Sequence, residues 1–327
     1  MSGPRAFPLG EFRLEAGPVL TEAALGYQVW GRLDAAAANA VLLPGQFPGT
    51  ERGWTRLIGP GRVLDPDRHF IVAVDLLGDG LSTAPSHLLT DEARAAFASV
   101  TMRDNLRALR RLVTALGVAR PRLIAGWSIA GAQAIGWAAL HPEAVGAVLA
   151  VCAASIAEPR RAEILARMLD TLEGAAGGET PCARLRAFGG AVAGWTRSAE
   201  YEAAGLFRDD GFASAEQARE AWELRYLERD PADLAVACRL WASADPGRLL
   251  PGATEAAALG RIRARVTLMG CESDRLCPAE EVAREAALIP GAELRRLASP
   301  FGHAAGLPGA YAEETALIER ALAELLA

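Results

Sequence analysis

The sequence predicts an α/β fold: a mostly parallel central sheet with helices on both faces, interrupted by a helical insertion. Three observations predict it. Short, continuous apolar runs alternate with longer stretches of helical period, as expected of strands buried on both faces. The alternation stops after residue 154, gives way to mostly helical pattern, and resumes after residue 250. Finally, 327 residues that are 51% apolar and 23% charged suffice for one large core with an insertion, whereas a disordered chain would be poorer in apolar residues.

Taken in order, residues 21–30 alternate loosely and read as an early strand pair. Residues 40–43 are a short apolar run stopped by Pro44-Gly45, a buried strand and its turn. Residues 69–76 form another buried strand that ends in the loop Gly78-Asp79-Gly80. Thr101 can cap a helix reaching Gly117, with Leu106, Leu109, Leu112, Val113 and Leu116 on one face. A strand at 122–125, a helix at 129–140 stopped by His141-Pro142, and a strand at 145–151 follow. The insertion has Gly-rich joints at 174–178 and 189–190. After it come a strand at 265–269, a helix from Pro278, a strand at 293–297 and a helix from Ala310. The expected division is a core of 1–154 with 251–327, and a helical lid of 155–250.

Composition excludes several functions. The net charge of −6 leaves no concentrated basic face for nucleic acid. All 34 basic residues are arginine, so a lysine Schiff base, lysine-bound pyridoxal phosphate and a P-loop lysine are impossible. No apolar run is long enough to span a membrane, and the first residues have no secretory pattern. Five scattered cysteines without a Cys-x-x-Cys pair read as reduced thiols of a cytoplasmic protein. Four histidines, none near those cysteines, argue against a metal site. No cofactor is implied.

The sharpest chemical signal is Gly126-Trp127-Ser128-Ile129-Ala130-Gly131, between a strand and a helix. A serine there is thrust above the sheet on a strained turn, so small residues must stand two before and two after it. Gly126 and Ala130 fill those places. A serine nucleophile needs a base, and the base needs an acid to orient it. The strand at 265–269 runs into Gly270-Cys271-Glu272-Ser273-Asp274-Arg275, where Asp274 is the acid and Glu272 its substitute. His303, in the loop after the last strand, is the base. His69 opens a strand, His87 lies well before the nucleophile, and His141 ends a helix. Each member of the trio Ser128, Asp274 and His303 then sits at the catalytic end of a parallel sheet. An oxyanion needs two donors. Ile129 N–H is one, and the loop Gly45-Gln46-Phe47-Pro48-Gly49 supplies the other. Pro48 has no N–H, which leaves Phe47 first and Gln46 second.

These residues, with Gly26-Tyr27-Gln28-Val29-Trp30-Gly31, Leu57-Ile58-Gly59-Pro60-Gly61, Leu64-Asp65-Pro66-Asp67-Arg68, Ser273-Asp274-Arg275-Leu276 and Gly302-His303, make the chain resemble the homoserine O-acetyltransferase-like branch of the α/β-hydrolases along nearly its whole length. The resemblance implies an α/β-hydrolase fold with a Ser–Asp–His triad at the base of a tunnel. It also implies a helical roof that often mediates homodimers. Members acetylate an amino-acid hydroxyl from acetyl-CoA or hydrolyse esters.

Departures from that branch redirect the expectation. Ala304 stands where the acetyltransferases carry an aspartate. Phe188 and Trp195 align with their lid arginine and tyrosine, and either line an apolar tunnel or form lid core. Trp127 replaces a glycine. Without a carboxylate and a guanidinium, a zwitterion loses its charge-assisted contacts. The expected function is a serine hydrolase of short-chain or apolar carboxylic esters, with Gln46, Trp127, Phe188 and Trp195 around the substrate. An acyl-CoA-dependent O-acyltransferase is the alternative, and a non-catalytic binding protein the second. The partner is a small acyl ester or thioester.

Overall fold

A computed structural model describes residues 3–47, 51–156, 158–174 and 177–327, with the side chains of residues 51 and 52 outside the description. Pro48 and Gly49 of the predicted oxyanion loop therefore lie outside the described residues.

The chain opens with strands β1 (Arg5–Arg13) and β2 (Val19–Trp30), followed by β3 (Ala40–Pro44) and β4 (Phe70–Val74). Helix α1 (Asp91–Ala96) leads into α2 (Met102–Ala115), whose start is fixed by a capping box between Thr101 and Asp104. Strand β5 (Leu123–Trp127), helix α3 (Ile129–Leu140) and strand β6 (Ala147–Val151) complete the first part. Next come α4 (Pro159–Glu173), α5 (Pro181–Thr196), α6 (Ala199–Ala203), α7 (Ala215–Tyr226), α8 (Pro231–Ala242), α9 (Pro246–Leu249) and α10 (Glu255–Leu259). Strand β7 (Arg265–Cys271), helix α11 (Ala279–Leu288), strand β8 (Glu293–Leu297) and helix α12 (Ala312–Leu326) end the chain.

The strands form one sheet in the order β1-β2-β4-β3-β5-β6-β7-β8. β2 runs antiparallel to both neighbours, and the strands from β4 to β8 run parallel. β3, β4, β5 and β6 are buried along their whole length, which is why their sequences read as unbroken apolar runs. Separate apolar cores lie on the two faces of the sheet.

Two expectations about elements change. Residues 21–30 are not a strand pair. They belong to the single strand β2, whose partner β1 escapes the sequence pattern. β1 is an edge strand with register shifts around Gly10 and only two buried side chains, Leu9 and Phe12, so its period of two is broken. Gly189-Gly190 is not a joint either. Both residues lie inside α5, where a Cβ on Gly189 would stand 2.8 Å from backbone atoms of Glu223 and Trp222. The glycine lets α5 and α7 approach each other closely.

The β5–α3 joint leaves no room for two side chains. A Cβ on Gly126 would lie 2.1 Å from the carbonyl carbon of Ala130, and one on Gly131 would lie 2.5 Å from Ala153 Cβ. The second demand for a missing side chain thus falls on Gly131 rather than on Ala130. Since the obstacle at Gly126 is backbone, Gly126→Ala is expected to destabilise the protein by roughly 3 kcal/mol or more. Denaturant unfolding of that variant against the parent measures it, and an unchanged midpoint would contradict the packing described here.

Candidate active site

Ser128 is the N-cap residue of α3 and has φ 60° and ψ −133°, a region that side chains other than glycine seldom enter. The conformation is held on both sides. Ser128 N–H donates to Val151 O at 3.0 Å, and Ser128 O accepts from Gly131 and Ala132 N–H at 2.9 and 3.2 Å. The hydroxyl therefore projects from the C-terminal edge of the parallel strands, where β7 and β8 also end.

Strand β7 delivers Asp274 and the loop after β8 delivers His303. Ser128 Oγ lies 2.8 Å from His303 Nε2, and Asp274 Oδ2 lies 2.8 Å from His303 Nδ1. All three residues are buried. Asp274 Oδ1 accepts from the N–H groups of Leu276 and Cys277 at 2.8 and 3.0 Å, so the loop's own turn sets the carboxylate. Acceptance by Asp274 favours a proton on Nδ1 and leaves Nε2 free to accept from the serine hydroxyl. Glu272 is exposed and faces Arg296 at 3.8 Å; it is not brought to the histidine. Of the other histidines, His141 caps the far end of α3, where burial and Arg110 push it down to about 4. His69 precedes β4, and burial lowers it too.

The loop that carries His303 is fastened from several directions. Trp127 Nε1 donates to His303 O at 3.0 Å, with the two rings 5.1 Å apart. Ser273 Oγ accepts from Gly302 N–H at 3.1 Å. Ser198, just after α5, donates its hydroxyl to Pro300 O. Gly302 has φ 65°, and a Cβ there would press on Ser198 N at 2.8 Å.

The loop after β3 has its own support. Gln133 Nε2 donates to Gly45 O at 2.8 Å, and its Oε1 accepts from Asn105 Nδ2 at 2.8 Å. Asn105 Oδ1 in turn accepts from Leu77 N–H at 2.9 Å. This buried amide relay fixes the backbone that presents Gln46 and Phe47. Ile129 N–H, at the first turn of α3, has no helical acceptor. Among the described residues no carbonyl accepts from Phe47 N–H either.

A cavity of about 60 Å³ lies over Ser128 and His303. Gln46, Phe47, Trp127 and Trp195 line it. Phe188 does not. It is fully buried behind the wall, 6.0 Å from the Phe47 ring and 5.1 Å from that of Tyr226. Its place on α5 points it into the helix bundle rather than toward Ser128. Among the described residues no acidic side chain lines the cavity, and Ala304 is buried without facing it. Arg225 does line it, with its guanidinium 5.4 Å from the centre of the Trp222 ring. Three arginines of the neighbouring helices are engaged elsewhere: Arg184 with Leu172 O, Arg186 with Glu223, and Arg197 with Asp210 and Tyr311.

A family model described as the alpha/beta hydrolase family matches residues 40–314. The chain is an α/β-hydrolase. This α/β-hydrolase is 30% identical over 331 aligned positions to the ethyl acetate hydrolase of Pseudomonas veronii, covering 97% of this chain and 94% of that relative. Its fold matches an acetylester hydrolase from Corynebacterium glutamicum with a TM-score of 0.92 at 27% identity, covering 99% of this chain and 96% of the other. A homoserine O-acetyltransferase from Trichormus variabilis is 34% identical over 144 residues, 42% of this chain and 40% of its own. These relatives carry the names of enzymes, and the α/β-hydrolase described here is an enzyme of the same family.

Sequence reasoning missed Trp222, Tyr226 and Trp241, which also line the cavity of this α/β-hydrolase. The first two are spaced i, i+4 on α7 and so share a face, a signal that was available. Trp241 stands in the apolar helix α8 with nothing local to mark it. The Asn105–Gln133 relay, which joins α2 to α3, likewise has no signature in the chain. Among the described residues no group of three or more His, Cys, Asp or Glu is placed to hold a metal ion.

Proposed function

We propose that this α/β-hydrolase is a serine esterase that cleaves short-chain carboxylic esters through an acyl-enzyme. The observation that carries the reading is the unbroken relay from Asp274 through His303 to Ser128, with 2.8 Å at each step, at the floor of a small apolar cavity.

In this reading Ser128 Oγ attacks the ester carbonyl carbon while its proton passes to His303 Nε2. The oxyanion that forms is held by the Ile129 and Phe47 N–H groups, aided by the N-terminus of α3. Collapse of the tetrahedral adduct breaks the bond to the alcohol oxygen, which takes the proton from His303. Water then adds to the acyl-enzyme, giving its proton to His303. The second adduct expels Ser128 Oγ, which recovers that proton, and the carboxylic acid leaves. Asp274 holds the imidazole in the required tautomer and offsets its charge while it carries two protons. Residues 155–250 serve as the lid over a core formed by 1–154 and 251–327.

The substrate's size follows from the cavity. About 60 Å³ is well under the roughly 150 Å³ of an apolar cavity that takes up benzene. A short acyl group such as acetyl suits it, which agrees with the names of the ethyl acetate and acetylester hydrolases that match along the whole chain. Transfer to homoserine is disfavoured. Its ammonium would meet no carboxylate among the described lining residues, and an uncompensated buried charge costs several kcal/mol.

The test is hydrolysis of ethyl acetate, and of acetyl-CoA with and without homoserine. Acetate release without any acceptor is expected, with no O-acetylhomoserine above background. Formation of O-acetylhomoserine faster than hydrolysis would replace this reading with the acyltransferase, and would point to Arg225 as the residue that holds the acceptor's carboxylate.

A further inference from the structure

Trp241 faces two cavities. On one side it lines the reactive cavity, with its ring 6.4 Å from that of His303 and 6.4 Å from that of Phe47. On the other it lines a second cavity of about 250 Å³, between the start of α4 and the end of α8. The indole is buried, and its Nε1 has no hydrogen-bond partner. Shape and ring contacts hold it, rather than a polar anchor.

The second cavity is suited to an uncharged chain. Ile156, Pro159, Ala162, Leu165 and Ala242 give it apolar wall. Its charged lining residues are already engaged: Arg161 with Glu281 and Ile156 O, Glu158 with Arg284, and Arg248 with Asp245 at 3.9 Å. None of these charges requires a ligand of opposite sign.

We infer that Trp241 is the specificity-determining wall of the site, closing the reactive cavity against this second cavity and so limiting the length of the alkyl chain the ester can carry. This rests on the esterase reading above. In the wild-type protein a chain on that side meets the indole; without the indole it runs on into a space about four times as large. Each methylene that leaves water for such a space strengthens binding roughly fourfold.

The experiment measures kcat/KM for two ester series, ethyl acetate to ethyl octanoate and ethyl acetate to octyl acetate, with the wild-type protein, Trp241→Ala, Trp241→Leu and Trp241→Ala combined with Ala162→Phe. The wild type is expected to discriminate against six-carbon chains by at least about tenfold. In Trp241→Ala the six-carbon to two-carbon ratio should rise by about tenfold or more in one series, with a smaller rise in Trp241→Leu. Ala162→Phe, on an exposed position of α4 beside the second cavity, should reverse the gain. Thermal unfolding of each variant identifies those that remain folded. A wild-type protein that hydrolyses hexanoate and hexyl esters as fast as acetate overturns the inference, whether or not the variants fold. An unchanged ratio in a folded Trp241 variant, or a gain that survives Ala162→Phe, overturns it as well. Acetate turnover by the wild type and its dependence on Ser128 report on the esterase reading, whereas only the chain-length ratio reports on the wall.

Discussion

Ser128→Ala is expected to lower kcat on a short acetate ester by roughly 10⁴ to 10⁶, because nucleophile, base and acid act as a unit and loss of the nucleophile removes nearly the whole benefit. The backbone should be unaffected. Ser128 has φ 60° with its N–H and C=O bonded to Val151, Gly131 and Ala132, and none of those bonds uses the hydroxyl. Alanine bears the same positive φ that serine does, so the strain is neither relieved nor increased. Steady-state hydrolysis combined with thermal unfolding checks both halves. Near-native turnover by a folded Ser128→Ala protein would remove the serine mechanism altogether. Labelling by a fluorophosphonate should likewise vanish in the variant, and failure of the wild-type protein to label would favour a binding protein over an enzyme of this mechanism.

Asp274→Asn is expected to cost about 10⁴ in kcat, as loss of the correct histidine tautomer does in serine hydrolases generally. The substitution isolates that effect unusually well here. Asparagine Oδ1 can still accept from Leu276 and Cys277 N–H, as the aspartate does at 2.8 and 3.0 Å, so the turn persists. What changes is the atom that faces His303 Nδ1. An amide NH₂ in place of Oδ2 requires Nδ1 to be the acceptor, which moves the ring proton to Nε2. A protonated Nε2 cannot take the Ser128 proton. Glu272→Gln, at an exposed residue paired with Arg296, should leave kcat within about twofold, since surface ion pairs contribute little. The reverse ranking would give the role to Glu272. Equal, small losses would move the orienting acid elsewhere.

Much of this arrangement was readable from the chain. The buried parallel strands announce themselves as unbroken apolar runs, because both faces of each are covered. The α3 helix was bounded correctly at residues 129–140, since a strained turn begins it and His141-Pro142 ends it. The order of Ser128, Asp274 and His303 was readable because each follows a strand of one parallel sheet, and parallel strands bring their C-terminal ends to one edge. What the sequence hid is equally physical. β1 is an edge strand with a disturbed register, so its pattern carries no clear period. Gly189-Gly190 looks like a break, yet it serves close helix packing that depends on Trp222 and Glu223 of α7, more than thirty residues away.

The sequence alone therefore determined the parallel part of the sheet and the three side chains brought together at its edge, because strand burial, turn strain and helix capping are local demands written in neighbouring residues. Only the tertiary structure decided the cavity above them. The helices α5 and α8 are apolar on several sides, so periodicity does not say which side chain faces Ser128. Phe188 turned away into the bundle, while Trp241 took a place on the cavity wall. That choice was made by contacts between helices distant in sequence, and a helix with no single apolar face holds no record of it.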